Sequence, residues 1–178
     1  MANPNARPLT VEITHVNSEI IRFREIAADY RWIDVKFFAY SGVGSAKDIV
    51  AAVIANAWYD DDYASPSGAL PEPSRGLHGP YMLDRITLAS FEKSSARRCR
   101  AIVRAWAVQL GPLPDEFTVK YDSFVAHVLD AATAVYRLNV DDTDRHRWGA
   151  HMGVLGFHEF VIVSPKSKTI ALLVASDD

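Results

Sequence analysis

The sequence predicts an α+β fold: a single domain, a mixed β-sheet with about four helices, and a C-terminal β-hairpin. Three observations carry this. Stretches of period-two alternation and stretches of helical spacing follow one another along the chain. Two β-rich apolar runs, 157–163 and 169–175, close the sequence, joined by Ser164-Pro-Lys-Ser-Lys168, which suits a hairpin loop. A length of 178 residues with 49% hydrophobic content is enough for one buried core and short for two.

Residues 1–8 read as a flexible N-terminal tail, and 9–178 as the domain. Leu9, Val11 and Ile13 alternate with polar residues, the pattern of a half-buried strand. The stretch 18–31 fits two readings. A helix with the stripe Ile20, Phe23, Ala27 and Tyr30 is preferred, because 24–31 holds good helix formers and no turn residue. A strand there would make an antiparallel meander instead. Ile33, Val35, Phe37 and Ala39 share one face of the next strand. The preferred start is therefore a β-α-β-α unit whose parallel strands need a right-handed crossover. Ser41-Gly-Val-Gly44 breaks the strand, and Ser45 with Asp48 forms a short capping box. The helix behind it, 46–58, is apolar nearly all round.

Residues 60–81 form a long loop, opened by three aspartates and punctuated by Pro and Gly. A connection of that length inside one domain is usually functional or mobile. A short strand is expected over 86–91, then helices over 94–110 and 121–138. Gly111-Pro-Leu-Pro ends the first of these. The hairpin strands are apolar on both faces, so at least one of them needs cover on both sides. The chain's own helices or a second subunit, in a homo-oligomer, would supply it.

Lys and Arg total 19 and Asp and Glu 22, for a net charge of −3. That balance argues against nucleic-acid binding, which usually needs a basic excess. Cys99 is the only cysteine, so no intrachain disulfide forms. It sits on an apolar helix face, as an inert thiol would. The N-terminus has no signal-like apolar stretch, and no apolar run approaches the roughly 20 residues of a membrane span. The reading is a cytoplasmic protein with no membrane association.

Four groups of residues bear on function. His146, His151 and His158 lie near Asp144 and Glu159. Imidazole and carboxylate ligands suit a divalent metal, with His146, His151, His158 and Asp144 as the ligand set. His151 and His158 with Glu159 would alternatively serve acid–base catalysis. No His-Glu-x-x-His and no Gly-x-Ser-x-Gly strengthens either reading. Gly42, Gly44 and Ser45 form a strand-to-helix turn whose free N–H groups would take an anion. Arg97, Arg98, Arg100 and Arg104 make a basic stripe, read as a solvated face with some of the arginines paired to carboxylates. Asp60, Asp61 and Asp62, with Asp141, Asp142, Asp144, Asp177 and Asp178, are acidic clusters suited to a basic protein partner. Trp148 is expected at the edge of a surface pocket.

Two function classes follow. The favoured one is an intracellular protein-binding module, a regulator or inhibitor acting through its acidic surface. The other is a small hydrolase with a histidine/carboxylate site, with or without a metal.

Overall fold

The computed structural model describes residues 11–25, 30–63, 76–147 and 149–178. The expected tail at 1–8, Trp148 and the middle of the 60–81 loop lie outside the described residues. The chain runs β1 (Val11–Arg22), β2 (Arg31–Gly42), α1 (Ala46–Ile54), β3 (Leu77–His78), β4 (Tyr81–Met82), β5 (Phe91–Ser94), α2 (Ala96–Ala107), α3 (Asp115–Leu129), β6 (Ala134–Leu138), β7 (His158–Ser164) and β8 (Thr169–Asp177). Six strands form one sheet in the order β1-β2-β8-β7-β6-β5, and β3 and β4 form a small hairpin.

The fold class is α+β, as expected, with three corrections. Every strand pair is antiparallel, so the sheet is not mixed and there is no β-α-β start. Among the described residues there are three α-helices rather than about four. Over 18–25 the preferred helix is instead the second half of β1, followed by a single helical turn at Phe23–Glu25, and residues 26–29 of the expected helix lie outside the described residues.

A bulge explains that misreading. The register of β1 on β2 shifts between His15 and Asn17, which inserts Val16 as an extra residue. One extra residue reverses which face each later side chain takes. Val11 and Ile13 face the α1 side before the bulge, whereas Ile20 faces it after and Ile21 joins the opposite core. Alternation is continuous in space but broken in sequence, so it looks like neither a clean strand nor a clean helix.

Two further elements differ from expectation. The expected helix at 121–138 starts earlier, at Asp115, with Asp115 and Glu116 in its first turn, where they complement the helix dipole. It ends at Leu129, and Ala134–Leu138 is a strand whose Val135 and Tyr136 only mimic the helical stripe. The strand expected at 86–91 is a helical turn at Leu88–Ser90 followed by β5.

The hairpin β7–β8 lies in the middle of the sheet, with β2 on one side and β6 on the other. Its two-sided apolar pattern is met by two separate cores. α1 and the loops after it cover one face, over Val161, Val163, Ile170, Leu172 and Val174. α2 and α3 cover the other, over Phe160, Ile162, Ala171, Leu173 and Ala175. The cover comes from the chain itself. No helix among the described residues is long and apolar enough to cross a membrane.

Deleting 169–178 removes the strand that joins β2 to β7 and leaves both cores open. The truncated chain is expected to show no cooperative thermal transition by circular dichroism; a sharp melt would contradict this. Leu173→Ala, which leaves the topology intact, is expected to cost about 2–5 kcal/mol in urea denaturation.

Candidate functional site

On the α1 side, the even positions of β2 are Trp32, Asp34, Lys36, Phe38 and Tyr40. The two charged residues between these aromatic side chains are buried with them, at 1% exposure each. Across the sheet, Asp34 is level with Val174 of β8, and Val174 with Glu159 of β7. Glu159 is also fully buried. The sheet thus buries two acids and a base where water cannot solvate them. Buried charges need partners.

The loops supply those partners. Lys36 Nζ donates to Asp61 Oδ2 at 2.8 Å and lies 3.4 Å from Asp34 Oδ2. It also sits 4.0 Å from the centre of the Tyr63 ring. Asp61 Oδ1 accepts the Tyr63 N–H at 2.8 Å, and the Tyr63 ring stacks on Trp32 with centroids 5.3 Å apart. Glu159 Oε1 accepts from the Tyr59 hydroxyl at 2.8 Å, and Oε2 contacts His78 Nε2 at 2.5 Å. The other imidazole nitrogen, Nδ1, meets the Tyr59 carbonyl oxygen. That oxygen can only accept, so Nδ1 carries a proton. The imidazole also stacks on the Tyr59 ring, centroids 3.7 Å apart.

Burial, with the charge of Glu159 as a lesser cause, raises the Tyr59 phenol well above its usual range. Burial does the same to Tyr63, helped by Asp61, Asp34 and Glu159. Burial also raises the Asp34 carboxyl, against the pull of Lys36. Among the described residues neither Asp34 oxygen has an aligned hydrogen-bond partner, and the Tyr63 hydroxyl has none.

Around this cluster three loop segments are tied together. The Gly79 N–H donates to the Asp61 carbonyl at 2.8 Å. His146 donates from Nε2 to the Gly79 carbonyl at 3.0 Å and from its backbone N–H to Pro80 O at 3.0 Å. Tyr81 and Arg145 form an isolated antiparallel bridge. Gly79 has φ +51, and a Cβ there would meet the Phe157 ring at 2.3 Å, so this junction requires glycine.

The residues singled out from the sequence are placed as follows. His158 and Glu159 are consecutive on β7 and project to opposite faces, so they do not share a site. His158 is half-buried on the α2 side, edge-on to Trp106. His151 is exposed in the turn Gly149–His151. His146 bonds Gly79, and Asp144 lies in the turn before it. Among the described residues no three His, Cys, Asp or Glu side chains converge to hold a metal ion, so the expected set of His146, His151, His158 and Asp144 does not assemble. At Gly42–Ser45 the capping box is present, and Asp48 Oδ2 takes both the Ser45 N–H at 2.7 Å and its hydroxyl at 2.8 Å. The chain's own carboxylate thus occupies the donor expected to hold an anion.

Three of the four stripe arginines are paired, in line with a charged face partly paired with carboxylates. Arg98 lies 3.4 Å from Glu92, Arg100 3.3 Å from Asp130 and Arg104 3.6 Å from Asp122. Of the three aspartates 60–62, Asp61 is committed to Lys36, while Asp60 and Asp62 are partly exposed. The terminal pair is engaged too. Asp177 Oδ1 accepts the Leu155 N–H, and Asp178 Oδ1 accepts the Trp32 indole N–H.

Asp34, Lys36, Tyr59, Tyr63 and His78 escape a reading of the sequence that takes polar residues of a strand as its wet face. One signal for two of them exists. Asp34 and Lys36 share a parity with Trp32, Phe38 and Tyr40, and three aromatic residues do not make a wet face. No protein-family model matches the chain, and no curated protein matches it in sequence.

Two stability predictions follow from the burial. Glu159→Ala leaves His78 facing a void, and the expected loss is about 3–5 kcal/mol by urea denaturation. His158 is pushed down to about 4, first by burial and second by the nearby Arg137 charge. Its folded pKa lies below the unfolded value, so the unfolded chain takes up the proton first on acidification. Its contribution is present above about pH 6.5 and is lost as pH falls towards 4, on the order of 3 kcal/mol. His158→Gln is expected to flatten that part of the stability profile; an unchanged profile would count against it.

Proposed function

We propose that this protein is a binding module that recognises a basic protein surface through an acidic loop layer on the α1 side, acting as a regulator or inhibitor of that partner. One observation carries the reading. Two acidic segments about eighty residues apart in sequence, 60–62 and 141–144, are both fastened to the β3–β4 hairpin. Asp61 O holds Gly79, and His146 holds Gly79 and Pro80. Asp60, Asp62 and Asp144 are partly exposed and Asp141 is exposed. Clustered carboxylates on an ordered layer suit electrostatic steering of a cationic partner.

A hydrolase would draw its histidine and carboxylate from His78 and Glu159. Both imidazole nitrogens there face acceptors within the protein, which leaves none to take a proton from a substrate. The geometry therefore favours binding.

The full chain and a variant carrying Asp60→Asn, Asp62→Asn, Asp141→Asn and Asp144→Asn should be used in parallel to capture partners from native lysate. The native chain is expected to retain a basic protein at stoichiometric level, with a yield that falls steeply as salt screens the contact. The variant should fold normally and lose that protein. Identical captures by both chains would refute the acidic surface.

A further inference from the structure

We propose that Lys36 is shared between a strand carboxylate, Asp34, and a loop carboxylate, Asp61, so that the ionisation of Asp34 sets how firmly the 59–63 segment is held to the sheet. This rests on the proposed binding reading only for its consequence, the regulation of the acidic surface. The device itself stands on the geometry of the free chain.

Lys36 Nζ is 2.8 Å from Asp61 and 3.4 Å from Asp34. The two acids differ in what they hold. Asp34 belongs to the same strand as Lys36, so pairing with it ties down nothing else. Asp61 belongs to the loop, and its other oxygen and its carbonyl hold the Tyr63 and Gly79 N–H groups. Charge that Lys36 gives to Asp34 is withdrawn from the only ion pair that fastens Asp61 to the sheet among the described residues.

Among the described residues both Asp34 oxygens lack an aligned donor, although the side chain is 1% exposed. An ionised Asp34 in that position has one way to gain a hydrogen bond from a charged neighbour on its strand, which is to draw the ammonium group over. A protonated Asp34 leaves Lys36 to Asp61. The groups that surround Asp34 are Lys36 on its own strand, Arg22 of β1, Asp61 and Tyr63 of the loop, Glu159 of β7 with Tyr59 and His78 upon it, and Asp178 beside Trp32. Burial raises the Asp34 carboxyl above its ordinary value, with Asp61 adding to the rise and Lys36 and Arg22 opposing it. A raised folded pKa means that stability from this group is fully present in acid and is lost as pH rises through the folded pKa. The segment is therefore held more firmly in mild acid and loosens towards neutrality.

Amide hydrogen exchange on the full chain, from about pH 4 to about pH 8, tests this across the carboxylate range. The reporters are Asp61, Tyr63 and Gly79, whose N–H groups bond within the segment. Their protection, corrected for intrinsic rates, is taken relative to β8 amides, so that global losses from groups such as His158 cancel. The ratio is expected to fall several-fold as pH rises in the native chain. Asp34→Asn should hold it at the acid value throughout, and Asp61→Asn should keep it low throughout. A flat ratio in the native chain, or an unchanged profile in Asp34→Asn, overturns the proposal. Failure to capture a basic partner would sink the binding reading and leave the exchange result standing.

Discussion

The charge on Lys36 is the constraint around which the α1 side of the molecule is arranged. An ammonium group on a strand between Trp32 and Phe38 cannot reach water, and an isolated buried charge is far too costly to persist. The acid two residues away on the same strand lies at 3.4 Å without alignment and does not suffice. A second carboxylate must come from elsewhere, and Asp61 brings the loop with it. Glu159 imposes the same demand two strands away and is answered by Tyr59 and His78. The sheet's buried charges thus dictate where the 59–63 segment and the β3–β4 hairpin must lie. Those two in turn position the 141–147 segment through Gly79 and Pro80.

The opposite face obeys a different rule. α2 and α3 cover it with an apolar core in which Phe23, Trp106 and Phe117 meet edge to face. Its buried cation, Arg31, is met by the end of a helix: Nη1 donates to the carbonyls of Trp106 and Ala107 at 2.9 Å each. A helix C-terminus carries partial negative charge and unsatisfied carbonyls, so one guanidinium both caps α2 and ties it to the start of β2. Here the apolar contacts place the helices and Arg31 ties the end of α2 to the sheet. On the α1 side the order is reversed, since the ion pairs place the loops and the aromatic stacks fill in around them.

This difference decides what could be read from the sequence. Features set by local chemistry were legible: the Ser45–Asp48 capping box, the α2 stripe through Cys99, Val103 and Trp106, and the hairpin with its two-sided burial. Features set by distant partners were not. The bulge at Val16 hides the strand character of 17–22, because only pairing with β2 keeps its alternation in step. The acid and base of the candidate site sit on strand positions that a local rule assigns to solvent. His78 and Glu159 are 81 residues apart, and nothing near either one names the other. The histidines nearest Glu159 in sequence drew attention for the opposite reason. Proximity along a strand places neighbours on opposite faces, so His158 was the residue least able to join it.

Replacing a buried ion pair with well-packed hydrophobic side chains is often neutral or stabilising. The charges therefore need an account beyond stability. Apolar contacts alone would let the loops slide on the sheet, whereas the bonds from Asp61 to Lys36 and from Tyr59 and His78 to Glu159 admit one register. The recognition surface proposed above would need that single register, because carboxylates match a partner only at fixed spacing. The one group that gains nothing from such a role is Asp34, which is buried, unaligned and competes with Asp61 for the same ammonium. Its presence is intelligible if the register is meant to be held with adjustable strength rather than locked.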